Sequence, residues 1–93
     1  MVTAFVLINA IRDKIGETAE ALSALQGVAE VYSVAGEYDL VAVIRVKTND
    51  QLADLVTRKM LKLDGIQRTR TLIAFRAYSK FDLERMFSIG MNE

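Results

Sequence analysis

The sequence predicts an α+β sandwich: a four-stranded antiparallel sheet with two helices on one face, in the chain order βαββαβ. Three observations point to it. Runs of apolar and β-branched residues alternate with segments whose apolar residues recur at the helical period. Each helical segment closes on a glycine followed at once by a β-branched residue, Gly27-Val28 and Gly65-Ile66. Those glycines belong to an internal repeat with a constant offset of 38, in which Leu22, Leu25, Gly27, Val28 and Val31 align with Met60, Leu63, Gly65, Ile66 and Thr69. The same offset lays Phe5, Val6 and Ile8 on Val43, Ile44 and Val46.

The elements follow in order. Residues 3–11 (TAFVLINAI) read as the first strand. A helix is expected over about 14–26, starting near Asp13 or Gly16, with Ile15, Ala19, Leu22 and Gln26 on one face, Leu25 beside Leu22, and Gly27 as its stop. Residues 28–35 and 39–47 read as the second and third strands. Thr48 and Gln51 fit a capping box, in which the hydroxyl caps the helix and the amide reaches back. Leu52, Leu55, Val56, Lys59, Met60 and Leu63 then trace a helical face that ends at Gly65, and residues 67–78 read as the fourth strand. Two interleaved β-α-β units form the ferredoxin-like split βαβ arrangement. Right-handed crossovers put both helices on the same side of the sheet.

The strands are apolar on both faces. Phe5 and Leu7 alternate with Ala4, Val6 and Ile8; Val41 and Val43 alternate with Leu40, Ala42, Ile44 and Val46; Ile73 and Phe75 alternate with Leu72, Ala74 and Tyr78. Helices can cover only one face, and the other is a larger apolar patch than a monomer normally exposes. A sheet-to-sheet homodimer is therefore expected. The domain is expected over residues 1–79, followed by an arm over 80–93 carrying Phe81, Leu83, Met86, Phe87 and Ile89, folded on its own core or docked on a neighbouring subunit.

Composition narrows the function. Ninety-three residues make one small domain, whose core alone is marginal. The chain has no Cys and no His, which excludes disulfides, zinc ribbons, Cys nucleophiles and His-based acid–base catalysis. No cofactor is called for. Twelve basic residues balance twelve acidic ones, so no basic footprint suggests direct nucleic-acid contact. The longest apolar runs, at 4–8 and 40–44, are too short to span a membrane, and the N-terminus lacks a basic signal-peptide region, so the cytoplasm is the expected compartment.

Between the second and third strands stands Gly36-Glu37-Tyr38-Asp39. Two acids and an aromatic ring are more than a tight turn needs. The last strand begins with Thr69 and Thr71 on one face and Arg68 and Arg70 on the other. No nucleophile with an acid–base partner is legible among them.

Together, helix-Gly27-Val28-x-x-Val31, the Gly36-Glu37-Tyr38-Asp39 loop, Asp64-Gly65-Ile66 and the later Thr69-Arg70-Thr71 resemble the C-terminal effector-binding (RAM) domain of Lrp/AsnC regulators, over residues 3 to about 79. The resemblance implies sheet-mediated dimers assembling further, commonly to octamers. It also implies an amino-acid effector bound near the loop, with Gly36, Glu37, Tyr38, Asp39, Leu40, Thr69, Arg70 and Thr71 as the site. Asp39 would accept from the ligand ammonium, and backbone N–H groups around Gly36 would approach its carboxylate. Thr69 and Thr71 would add hydroxyls, and Tyr38 would wall the pocket. The bland alternatives are a turn role for Gly36 and Asp39, plain strand roles for the threonines, and a solvated or inter-subunit ion-pairing row for the arginines.

Family regulators carry a helix-turn-helix domain before this one, whereas here the first strand follows Met1 directly. The expectation is a stand-alone, oligomeric amino-acid sensing module that acts at subunit interfaces rather than on DNA, with full-length Lrp/AsnC regulators as candidate partners and no membrane partner. The competing readings are a small dimeric ferredoxin-like barrel enzyme of oxygenase or isomerase type, and a purely structural assembly domain.

Overall fold

The structure is a computed structural model and describes residues 1–80. The expected C-terminal arm, with its five apolar residues, lies outside the described residues apart from Lys80. Strands β1 (Val2–Ala10), β2 (Val28–Ser33), β3 (Leu40–Val46) and β4 (Ile66–Ile73) form one antiparallel sheet in the order β2-β3-β1-β4. That is the order of the split βαβ arrangement.

A tight helical turn (Arg12–Lys14) leads into α1 (Ile15–Ser23). This helix stops short of the expected residue 26. Leu25 N–H donates to the Leu22 carbonyl and Val28 N–H to the Leu25 carbonyl, so the chain tightens and turns before Gly27. Thr18 and Leu22 are buried, while Gln26 is exposed rather than on the packed face. Helix α2 (Asn49–Asp54) starts on the expected capping box: Gln51 N–H donates to Thr48 Oγ1 at 3.1 Å, and Gln51 Oε1 accepts from the Thr48 N–H at 3.3 Å. Its helical path continues through a wider turn (Leu55–Lys59) and a tighter one (Met60–Lys62). Leu52, Leu55 and Met60 are buried along it, and Lys59 is exposed.

Register assigns the two sheet faces. Val6 lies between Ala42 and Thr71, and Ile8 between Leu40 and Thr69, on the helix side. Ala4, Val6, Ile8, Leu40, Ala42 and Ile44 are fully buried there with Leu22 and Met60. Each large aliphatic side chain among them contributes roughly 1.5–3 kcal/mol of transfer free energy. On the far face, Phe5 sits between Val43 and Leu72, and Leu7 between Val41 and Arg70. Phe5 is 37% exposed, Leu72 49% and Tyr32 50%, so this face is an apolar patch open to solvent in the single chain.

Strand β4 ends at Ile73, five residues before the expected limit at Tyr78. It is an edge strand paired only with β1. The pairing ends at Ala4↔Ile73, with Ala74 N–H donating to the Thr3 carbonyl at 2.9 Å, and β1 has only Thr3 and Val2 beyond that pair, too few to carry the ladder to Tyr78. Phe75 and Tyr78 beyond it are exposed.

The internal repeat is visible in the packing. A Cβ on Gly27 would meet Val46 Cγ1 at 2.9 Å and Leu55 Cδ2 at 3.1 Å, and one on Gly65 would collide with Thr18 Oγ1. Each glycine therefore lets the start of its strand approach the helical segment of the other half. Among the described residues, no helix is long and apolar enough to cross a membrane.

Candidate functional site

The β2–β3 connection returns to the sheet end where β1 finishes and β4 begins. Val34 N–H donates to the Asp39 carbonyl at 3.0 Å, and Asp39 N–H donates to the Ile8 carbonyl at 2.9 Å. Gly36 holds φ at +122°, a conformation that side-chain-bearing residues rarely adopt. The Asp39 side chain does not close a turn in its own loop. Its Oδ2 accepts from the Ala10 N–H at 2.9 Å, 29 residues away, just past the last β1–β3 pair, Ile8↔Leu40. Asn9 Nδ2 donates to the Glu37 carbonyl at 2.8 Å. These two bonds tie the loop to the end of β1.

Opposite them, the β1–β4 register slips between Asn9 and Ala10, so that Asn9 pairs with Arg68 and Ala10 with Ile66. The loop and the bulged start of β4 enclose a hollow of about 500 Å³. Glu37, Tyr38 and Asp39 line it from the loop, Gln67, Arg68, Thr69 and Arg70 from β4, and Asn9 from between them. All of these side chains are polar. Tyr38 and Asp39 are half-buried; Glu37, Arg68 and Arg70 are exposed. Neither arginine forms an ion pair among the described residues. The hollow thus offers carboxylates from the loop and guanidinium groups from the strand, which suits a ligand carrying both charges.

Five of the eight expected site residues line this hollow: Glu37, Tyr38, Asp39, Thr69 and Arg70. Gly36 shapes the loop without lining it. Leu40 is fully buried in the core, and Thr71, opposite Val6 on the helix side of the sheet, lies outside the lining. Asn9, Gln67 and Arg68 line the hollow but were not among the expected site residues. The one legible signal was Asn9, a lone amide interrupting the apolar run FVLINA.

At the opposite edge of the same sheet face, the Tyr32 hydroxyl donates to the Glu30 carboxylate, and Arg45 Nη1 lies 3.3 Å from Glu30 Oε1. The Tyr32 hydrogen bond, then Arg45, holds the Glu30 carboxyl below its ordinary value. The Glu30 carboxylate in turn pushes the Tyr32 phenol up.

The sequence matches the Lrp/AsnC ligand binding domain over residues 3–83. The chain belongs to the Lrp/AsnC family. It is 34% identical over 76 residues to an uncharacterized HTH-type transcriptional regulator of Pyrococcus furiosus, covering 78% of this chain and 51% of that one. It therefore spans about half the length of the curated Lrp/AsnC relatives it matches, which are transcriptional regulators rather than enzymes. Among solved structures, TTHA0845 from Thermus thermophilus superposes with a TM-score of 0.81 at 51% identity, over 86% of this chain and 100% of that one. The feast or famine regulatory protein of M. tuberculosis, solved in complex with L-methionine, superposes with a TM-score of 0.71 at 30% identity, over 86% of this chain and 54% of that one. The fold and family expected from the Gly36–Asp39 loop and the Thr69-Arg70-Thr71 segment are those found.

Proposed function

We propose that this Lrp/AsnC domain is an oligomeric amino-acid sensing module, with the effector in the hollow between the Glu37–Asp39 loop and the start of β4. The observation that carries this is the Asp39 carboxylate and the Arg68 and Arg70 guanidinium groups around one polar hollow. Asp39 Oδ2 is taken by the Ala10 N–H, and Oδ1 has no partner among the described residues, so Oδ1 is the acceptor for a ligand ammonium. The ligand carboxylate pairs with Arg70 or Arg68, in forked hydrogen bonds that a guanidinium supports. The L-methionine complex of the mycobacterial relative agrees with this ligand class.

The open face formed by Phe5, Tyr32 and Leu72 supports sheet-to-sheet dimers, which assemble further, to octamers in the family arrangement. The module acts in the cytoplasm through subunit interfaces, its own or those of full-length Lrp/AsnC regulators, rather than by gripping DNA; the balance of twelve basic and twelve acidic residues supports this. A thermal-shift screen of the twenty amino acids tests the proposal, because a ligand that binds only the folded protein raises its melting temperature by mass action. A screen in which no amino acid shifts the melt overturns it. A mobility-shift assay showing sequence-dependent DNA binding by the isolated chain overturns the interface part alone.

A further inference from the structure

The internal repeat gives the fold two equivalent clefts, one beside each strand-starting glycine. The cleft at Gly65, against α1, holds about 200 Å³, with Thr18 packed close on the glycine. Its counterpart at Gly27 holds about 430 Å³ and lies beside the C-terminal end of β3. Gln67 to Arg70 and the Glu37–Asp39 loop take no part in it.

The Gly27 cleft joins an apolar wall to a basic rim. Val46 and Leu55 stand beside Gly27, and Arg45, Lys47 and Lys59 surround them. The acid on the rim, Asp54, is engaged by Arg58 at 3.4 Å, and Arg45 is engaged by Glu30. Lys47 and Lys59 carry no ion pair among the described residues. Gln51 Oε1 accepts from the Lys47 N–H at 2.8 Å and the Thr48 N–H at 3.3 Å, which leaves its Nε2 as a donor on the cleft wall. A protein with equal numbers of acids and bases thus sets two uncommitted cations around an apolar surface.

We propose that this cleft is a second binding site, for a small organic anion with an apolar body. The anionic group sits between Lys47 and Lys59, with Gln51 Nε2 as a neutral donor, and the body covers Val46, behind which the buried Leu55 forms the floor. The site is independent of the amino-acid hollow.

Calorimetric titration of the full chain with phenyl phosphate tests this, with inorganic phosphate as the second probe. The expected result is one saturable site per chain for phenyl phosphate. Affinity should fall at least tenfold in Lys47→Ala/Lys59→Ala and stay unchanged in Arg12→Ala/Lys62→Ala, which removes two exposed cations elsewhere. Inorganic phosphate, which leaves the apolar wall uncovered, should bind at least tenfold more weakly. Unsaturable binding, or equal losses in the two double variants, overturns the site. Inorganic phosphate binding as tightly as phenyl phosphate overturns the ligand class.

Discussion

Gly65 packs so closely on Thr18 that a Cβ at position 65 would collide with the Thr18 hydroxyl. The Gly65 carbonyl also accepts from the Ile11 N–H at 2.8 Å, so the backbone there cannot easily retreat. Gly65→Ala should therefore destabilise the fold by about 1–3 kcal/mol, the usual range for overpacking. Urea denaturation checks this. Gly65→Ala/Thr18→Ala should cost less than the sum of its single substitutions, because the two sites are coupled through one contact. A strictly additive cycle would mean that the strain is absorbed elsewhere.

Asp39 holds the end of β1 and, in the proposed site, faces the ligand, and two substitutions separate the two roles. Asp39→Ala removes the acceptor of the Ala10 N–H, which should cost about 1–3 kcal/mol of stability, the range for stranding a buried donor. Asp39→Asn keeps a carbonyl acceptor for that N–H while removing the charge that the proposed site sets against a ligand ammonium. The expected outcome is a near-normal melt for Asp39→Asn, with amino-acid affinity lowered at least tenfold in calorimetry. A variant that melts normally and binds normally would assign Asp39 to the β1 end alone.

The far face of the sheet should decide assembly. Phe5 lies between Val43 and Leu72 at its centre, so Phe5→Lys introduces a charge into the middle of any sheet-to-sheet contact. Sedimentation equilibrium should find the wild-type chain larger than its 10.4 kDa monomer at micromolar concentration, and Phe5→Lys shifted to monomer or unfolded. A compact wild-type monomer would sink the dimer.

The Glu30 cluster should shape the acid limb of stability. Its folded carboxyl lies below the ordinary 4.5, so the folded state favours the charged form. The contribution is present above about pH 4.5 and is lost as the pH falls through the lower folded value. Tyr32 has the opposite sign. Its phenol is raised above the ordinary 10.0, so its contribution is present below that pH and fades as the pH rises through the folded value. Glu30→Gln should flatten both limbs of a plot of melting temperature against pH. Unchanged limbs would show that the cluster does not couple to folding.

What the sequence determined by itself is what local periodicity and short-range chemistry can encode. The order βαββαβ, the Thr48–Gln51 capping box and the apolar alternation on both sheet faces depend on residues a few positions apart, and all are present in the fold. The offset of 38 anticipated that Gly27 and Gly65 play the same part in the two halves. Tertiary structure decided what depends on register between distant strands. Strand β4 ends at its last pair with β1, Ala4↔Ile73, although apolar residues continue to Tyr78, and β1 extends only two residues beyond that pair. Asp39 reaches Ala10 because the β1–β3 ladder ends at Ile8↔Leu40. Asn9, Gln67 and Arg68 join the hollow through a register slip at Asn9 and Ala10, while Leu40 sinks into the core and Thr71 falls outside the lining. A bulge or a strand end changes which side chains meet while leaving the period of each strand intact, so sequence pattern could locate the loop but not complete its walls.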